Sequence, residues 1–494
     1  MNVPTITPAR RANILTAPFG LACLLASAGC ALGPVYHTPE PPRTTRYGPV
    51  PTPASVGSSD PRGGGIQRLH QGAHVPDAWW KTFGNTELDR RVQAALDHSP
   101  TLQAARASLR QSQEILKATR GAWFPSITAG AGVTRAQQSV DAGGTASPFT
   151  LYNASVNVSY TLDLFGGVRR RVELSQAQAE YQRWLTEGAS LSLAANVTTA
   201  TFQEASLQEQ IQAAGQVVDL LQEQSTLTAK QVAIGSRSEA DLLAVRAQLA
   251  SAQASLPPLR LSLATVRNQL AVLLGRMPSQ ELAQGGTLAS FQLPPDIPVT
   301  LPSDLVRQRP DVRAAEAQLW AATAQVGLAT SNLFPRITLG GGYGSEAAKT
   351  GRLFEAATRS WDLGLNLFQP LFEGGSLRAQ KRAAEAGLDA ASAIYRASVL
   401  NAFQNVSDAL DALQYDADAL AAQARAESAA ARSLKLVKAQ YALGAVSYLQ
   451  LLDATRQWQL ARLGEIRARA ARLSDTAALY AALGGGWHSP ATRP

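Results

Sequence analysis

Few residues of this 494-residue chain are of a type and spacing that could do chemistry. There are two cysteines, Cys23 and Cys30, and five histidines, His37, His70, His74, His98 and His488. The histidines sit mostly toward the ends and are not spaced as ligand pairs, so no metal site is expected. No nucleophile motif and no phosphate-binding loop stands out, which argues against an enzyme. What remains is a thiol at the end of a leader, two glycine-serine turns, and an acid, Asp453, with Gln450 one turn before it, Arg456 at i+3 and Tyr441 across a turn. An acid and an arginine at that spacing pair on a helix surface. These residues offer an anchoring thiol, two turns and an ion pair, with no turnover.

The thiol is placed by a leader. Arg10 and Arg11 precede an apolar stretch, Ile14 to Ala28, too short to span a bilayer and ending in small residues, so residues 1–29 read as a secretory signal. The stretch Ser27-Ala28-Gly29-Cys30 resembles a bacterial lipoprotein cleavage site, at which Cys30 becomes the acylated first residue; Ser27 stands where such sites usually hold an aliphatic residue. Both cysteines lie in or at the end of this leader, so no disulfide is expected in the mature chain. Residues 30–77, rich in Pro, Gly and Ser, read as a lipid-anchored extended tail.

Composition narrows the classes further. The net charge is +8, but the basic residues are scattered and aromatic residues make up only 6%, so nucleic acid is not an expected partner. Hydrophobic residues reach 45%, yet no stretch after the leader approaches the roughly 20 apolar residues of a membrane helix. A crossing, if there is one, must be a β-barrel.

The elements that position the turns and the acid come twice. Pro100 and Pro125 are echoed at Pro310 and Pro335, Phe165-Gly166-Gly167 at Phe372-Glu373-Gly374-Gly375, Ile234-Gly235 at Leu443-Gly444, and Leu274-Gly275 at Leu483-Gly484. Residues 78–276 and 310–487 are therefore two structural repeats joined by a linker, 277–309, with a short tail at 488–494. Each repeat holds two segments of strand period, about 126–135 and 153–161, then about 336–343 and 361–368. Each is near the nine to eleven residues, roughly, of a tilted membrane strand. Four strands cannot close a barrel, since about eight is the lower limit, so several chains must contribute.

Between the strands and the turns run proline-free stretches, Val168 to Ile234 and Ser376 to Leu443, long enough for helices on the order of 100 Å. Leu207, Ile211, Ala214, Val218 and Leu221 keep a 4-3 spacing in the first; Leu413, Ala417, Leu420 and Ala424 keep it in the second. Gly235 and Gly444 can take the positive φ that ends a helix, and Ser238 and Ser447 can cap the next one. Pro257-Pro258 is expected to break the first return helix.

Cys30-x-x-Gly33-Pro34-x-Tyr36-x-x-Pro39, Trp79-Trp80, the paired Phe-Pro strand starts, the two G-x-x-S turns and the closing Ala482-Leu483-Gly484-Gly485-Gly486-Trp487 together resemble the outer-membrane factors of tripartite efflux systems, the NodT-type lipoprotein branch of the TolC-like family. The resemblance covers nearly the whole chain. It implies a homotrimer in the bacterial outer membrane: a twelve-stranded β-barrel, four strands per protomer, continued by a long periplasmic α-helical barrel. It implies a periplasmic adaptor and an inner-membrane pump of the resistance-nodulation-division type as partners, no cofactor beyond the lipid on Cys30, and drugs or other small toxic compounds as cargo. Gly235, Ser238, Gly444 and Ser447 would form the adaptor-contacting tips. Tyr441, Gln450 and Asp453 match the stretch whose inward acids constrict the closed pore, with Gln450 standing where such proteins often carry a second aspartate. The alternative within the channel class is the exit duct of type I protein secretion. A periplasmic coiled-coil scaffold would not need four alternating segments set symmetrically between helix pairs.

Overall fold

The computed structural model describes residues 32–59, 64–137, 147–283 and 285–485. The leader, Cys30, the tip of the glycine-rich loop in the first repeat, Gly486-Trp487 and the C-terminal tail lie outside these residues. The chain divides into two compact units. One is built from Ser112–Ala179 and Ala317–Ser392 with the chain up to His37; the other from Thr38–Gln111, Glu180–Glu316 and the chain from Ala393 onward.

The first unit is organised by one antiparallel sheet. Its strands, numbered together with the three short ones of the other unit, are β3 (Ser126–Ala136), β4 (Phe149–Leu162), β6 (Arg336–Ala347) and β7 (Arg359–Phe368), in the order β3-β4-β6-β7. The central pairing joins the two repeats, with Val158 opposite Gly341 and Tyr160 opposite Leu339. Directly opposed residues share a face. One face therefore carries Ile127, Val158 and Leu367, and the other carries Ser126, Ser159 and Asn366. Strands β4 and β6 run longer than side-chain alternation predicts, to Phe149 and Ala347. Gly340, Gly341, Gly342 and Gly344 erase the alternation, while the backbone ladder continues through them.

The second unit holds a small sheet and most of the helical residues, and four of the helices have residues in both units. Helices α1 (Thr86–His98) and α2 (Pro100–Arg120) lead toward β3, and α6 (Pro310–Ser331) leads toward β6. The long helices are α3 (Gly167–Ala233) and α7 (Ser376–Ala442), 67 residues each, and their return helices are α4 (Glu239–Leu273) and α8 (Tyr448–Ala482), 35 each. Leu221, Leu434, Tyr448, Leu451 and Leu452 meet Val217, Val245 and Leu249 in one buried cluster, which is where the 4-3 seams lead. Trp79, Phe83, Phe202 and Tyr480 form an aromatic core, with Phe83 and Phe202 centred 4.9 Å apart.

Two expectations are corrected. Pro257-Pro258 does not break the return helix, and α4 runs through both. The prolines are exposed, and so are Gln253 and Ala254, whose carbonyls they leave without helical donors and which water can meet. The tail and the linker are also not bare chain. The tail supplies β1 (Ser55–Gly57) and β2 (Ile66–Gln71), and the linker supplies β5 (Asp296–Val299) and a short helix, α5 (Pro302–Gln308). They form one sheet, β1-β2-β5, in which β2 and β5 pair in parallel. Leu69 and Ile297 are its buried anchors.

Beneath this sheet the fully buried Arg472 donates to the carbonyl of Leu413, and beside it Asp475 faces Asp416. Burial first, and the neighbouring Asp416 second, push the Asp475 carboxyl up to about 7. The folded chain thus keeps a proton that an unfolded carboxyl releases near pH ~3.9, so this stability is present at low pH and is lost as pH rises toward about 7. Asp475→Asn is expected to raise the unfolding temperature relative to wild type at about pH 8 and to converge with it near pH ~4. A constant difference across that range would show that the proton is not held there.

Candidate periplasmic tip and gate

Both long helices end in the same way because both carry the same local chemistry. Gly235 and Gly444 take φ of +74° and +72°. The Ser236 N–H then reaches the Gln231 carbonyl and the Ala445 N–H the Gln440 carbonyl, each at 2.9 Å, closing the last helical turn. Ser238 and Ser447 open the return helices with complete capping boxes. The Ser447 N–H donates to Gln450 Oε1 at 2.8 Å, and the Gln450 N–H donates to Ser447 Oγ at 3.3 Å. The amide of Gln450 is therefore engaged in the cap, a role that its number alone does not reveal.

Asp453 lies on the exposed side of α8 and accepts from Arg456 at 3.0 Å, the i+3 partner that spacing predicts. With Leu449, Gln450, Ala454 and Val437 it lines an open groove of about 560 Å³. Tyr441, across the turn from Asp453 and a candidate donor to it, is held elsewhere. Its oxygen accepts from Arg237 Nη2 at 2.7 Å, and the same guanidinium lies 5.3 Å from the Tyr441 ring centre. The reason is tertiary: the turn carrying Arg237 belongs to the other repeat and meets the α7 end here. Next to it Tyr448, its ring 5.5 Å from that of Tyr441, donates its hydroxyl to Gln224. Burial pushes the Tyr448 hydroxyl up to about 12, so it stays a donor. Arg237, Tyr441, Tyr448 and Gln224 thus join the two hairpins within one protomer, and of these only Tyr441 stands out from the sequence.

The tips also present apolar residues. Ile234 and Leu443, the repeat-related residues just before each glycine, are 78% and 85% exposed. Among the described residues, no group of His, Cys, Asp and Glu is arranged to hold a metal ion, and no helix is long and apolar enough to cross a membrane.

Residues 92–276 and 301–485 each match the outer membrane efflux protein family, one match per repeat. The chain belongs to that family. The pyoverdine export outer membrane protein OpmQ of Pseudomonas putida is 30% identical over 448 residues, covering 89% of this chain and 95% of its own. Outer membrane protein OprJ of Pseudomonas aeruginosa is 30% identical over 482 residues, covering 95% and 96%. Among solved structures, the outer-membrane channel OprN superposes with a TM-score of 0.82 at 29% identity, over 93% of this chain and 100% of its own. The open-state MtrE outer membrane channel of Neisseria gonorrhoeae does so with 0.78 at 28%, over 92% and 98%. These likenesses are to outer-membrane channels and run the length of both chains. This outer membrane efflux protein is accordingly a channel component, and its two repeats are two copies of the family's unit.

Proposed function

We propose that three copies of this chain close a twelve-stranded barrel in the outer membrane and, docked through their helical tips on a periplasmic adaptor and an inner-membrane pump of the resistance-nodulation-division type, conduct drugs or other small toxic compounds out of the cell. The observation that carries this reading is the sheet β3-β4-β6-β7. Its outer strands β3 and β7 have no partner on their free sides among the described residues, and its apolar face, Trp361, Leu363, Leu365 and Leu367 included, is exposed. Free edges and an uncovered apolar face are both expensive in water, and both are satisfied when identical sheets join edge to edge in lipid. Mass spectrometry of the detergent-extracted protein should give three times the protomer mass, and a stable monomer with full strand content would overturn the architecture.

The anchor is proposed on Cys30, whose immediate neighbours support it. The Leu32 and Gly33 carbonyls accept from the Arg170 guanidinium at 3.2 and 3.4 Å, four residues or fewer past the start of α3 and close behind β4. Gly33 has φ of +92°, and a side chain there would collide with the backbone of Gly327. The chain two to three residues after Cys30 is therefore held at the strand ends, where a lipid would meet the membrane surface. The same mass measurement on denatured protomers should find the acyl mass on Cys30; a mature end downstream of Cys30 without it would remove the anchor.

Function is tested by resistance in a host that lacks its own channel. The wild-type chain should restore it, and Leu443→Asp, at an exposed tip residue, should lose it with the trimer intact. Unchanged resistance in that variant would move the adaptor contact away from Gly444 and Ser447 and, by repeat symmetry, from Gly235 and Ser238.

For the gate we propose Asp453, in a ring of three, held to Arg456. Asp453→Ala should raise single-channel conductance in planar bilayers while changing stability by less than about 1 kcal/mol, as for an exposed ion pair. Wild-type conductance and ion selectivity in the folded variant would take Asp453 out of the gate.

A further inference from the structure

The first unit contains a recess of about 630 Å³ where the strands meet the helix ends. Its position on the sheet follows from register. Ser126 and Ser159, which line it, oppose one another, as do Arg336 and Phe368, and all four lie on the polar face. The apolar face, with Ile127, Val158 and Leu367, is turned away. In a barrel whose apolar face meets lipid, the recess opens into the lumen.

Its chemistry is specific. Phe165 and Phe334 stack with ring centres 5.2 Å apart and a 24° interplanar angle, and Phe124 and Phe368 add two more rings that are mostly exposed. Two guanidiniums share the wall. Arg336 lies over the Phe368 ring, and Arg171 has no ion-pair or hydrogen-bond partner among the described residues. Two acids are also present. The Asp163 carboxylate accepts from the Val168 and Arg169 N–H groups at 2.9 and 2.8 Å, capping α3, which leaves Glu373 as the one acid not used in this way. Exposed aromatic faces stack flat rings, and unpaired guanidiniums take carboxylate or sulfonate oxygens in charge-assisted bonds.

We propose that this recess, one per protomer, is a binding site for small aromatic anions passing through the barrel. The inference rests on the closed-barrel reading, which orients the polar face inward. It is tested with the full-length trimer in lipid nanodiscs, by equilibrium dialysis against 2-naphthalenesulfonate with empty nanodiscs as the blank. Saturable uptake near one per protomer is expected. Arg171→Gln with Arg336→Gln should weaken it about tenfold or more, the scale of losing a charged hydrogen bond. The same ring carrying a cation, 2-naphthylmethylammonium, should bind far more weakly. Arg171→Gln alone keeps the test open should the double variant fail to assemble. No saturable uptake, equal uptake of both probes, or unweakened uptake in the assembled variants would overturn the proposal. The resistance assay separates this from the channel reading: restored resistance without binding removes the recess alone, and binding without restored resistance removes the efflux reading alone.

Discussion

Leu363→Arg is expected to abolish assembly of the outer-membrane trimer, whereas Asp362→Arg, one residue earlier, is expected to be tolerated. Both lie near the middle of β7, and their side chains leave opposite faces of the sheet. Leu363 shares the exposed apolar row of Trp361, Leu365 and Leu367; Asp362 opposes Gly342 on the polar face. An arginine on the lipid face near the bilayer midplane costs about 2–4 kcal/mol, and a threefold assembly incurs it in every copy. A lumenal arginine keeps its water. The measurement is the amount of trimer recovered from outer membranes of cells expressing each variant. Equal recovery of both, or equal loss of both, would mean that this face does not meet lipid.

Glu204→Ala should cost the helical unit roughly 3–5 kcal/mol, the scale of leaving a buried charge without its partner. Glu204 is 1% exposed on α3 and holds two arginines at once. It accepts from Arg91 on α1 at 2.7 Å and from Arg267 on α4 at 2.9 Å. Arg91 is itself buried and also donates to Thr201 and to the Ala283 carbonyl, so it cannot turn to solvent when Glu204 is removed, and it keeps only the longer, 3.7 Å ion pair to Glu87. Glu204→Gln, which keeps acceptor and shape but not charge, should lose less. A large fall in the unfolding temperature for the alanine variant and a smaller one for the amide is the expected order; a loss below about 1 kcal/mol for the alanine variant would show that Arg91 finds another partner.

The local architecture was legible because its causes are local. Helix ends depend on residues within four or five positions, so Gly235, Ser238, Gly444 and Ser447 mark both turns as they stand. Strand period survives wherever side chains alternate, so the existence of β3, β4, β6 and β7 could be read, and only their glycine-rich or loop-side ends could not. The duplication was legible for the same reason, since each repeat writes its turns and strands in its own residues.

Contacts between distant segments were decided by the tertiary structure alone. Whether Tyr441 bonds Asp453 or Arg237 depends on which turn packs against it, and Arg237 lies 204 residues away. The tail and linker became the β1-β2-β5 sheet because a short strand is defined by its partner, and proline-rich chain shows no period that names one. Pro257-Pro258 stayed helical because its freed carbonyls lie on an exposed face, and exposure is not a property of a dipeptide. Neighbouring residues alone set a duplicated, membrane-length, helix-and-strand protomer with capped tips; packing set which charges are buried, which hydroxyl is held, and which face of the sheet carries the aromatic recess, because each of those depends on what a residue meets and not on what stands beside it in the chain.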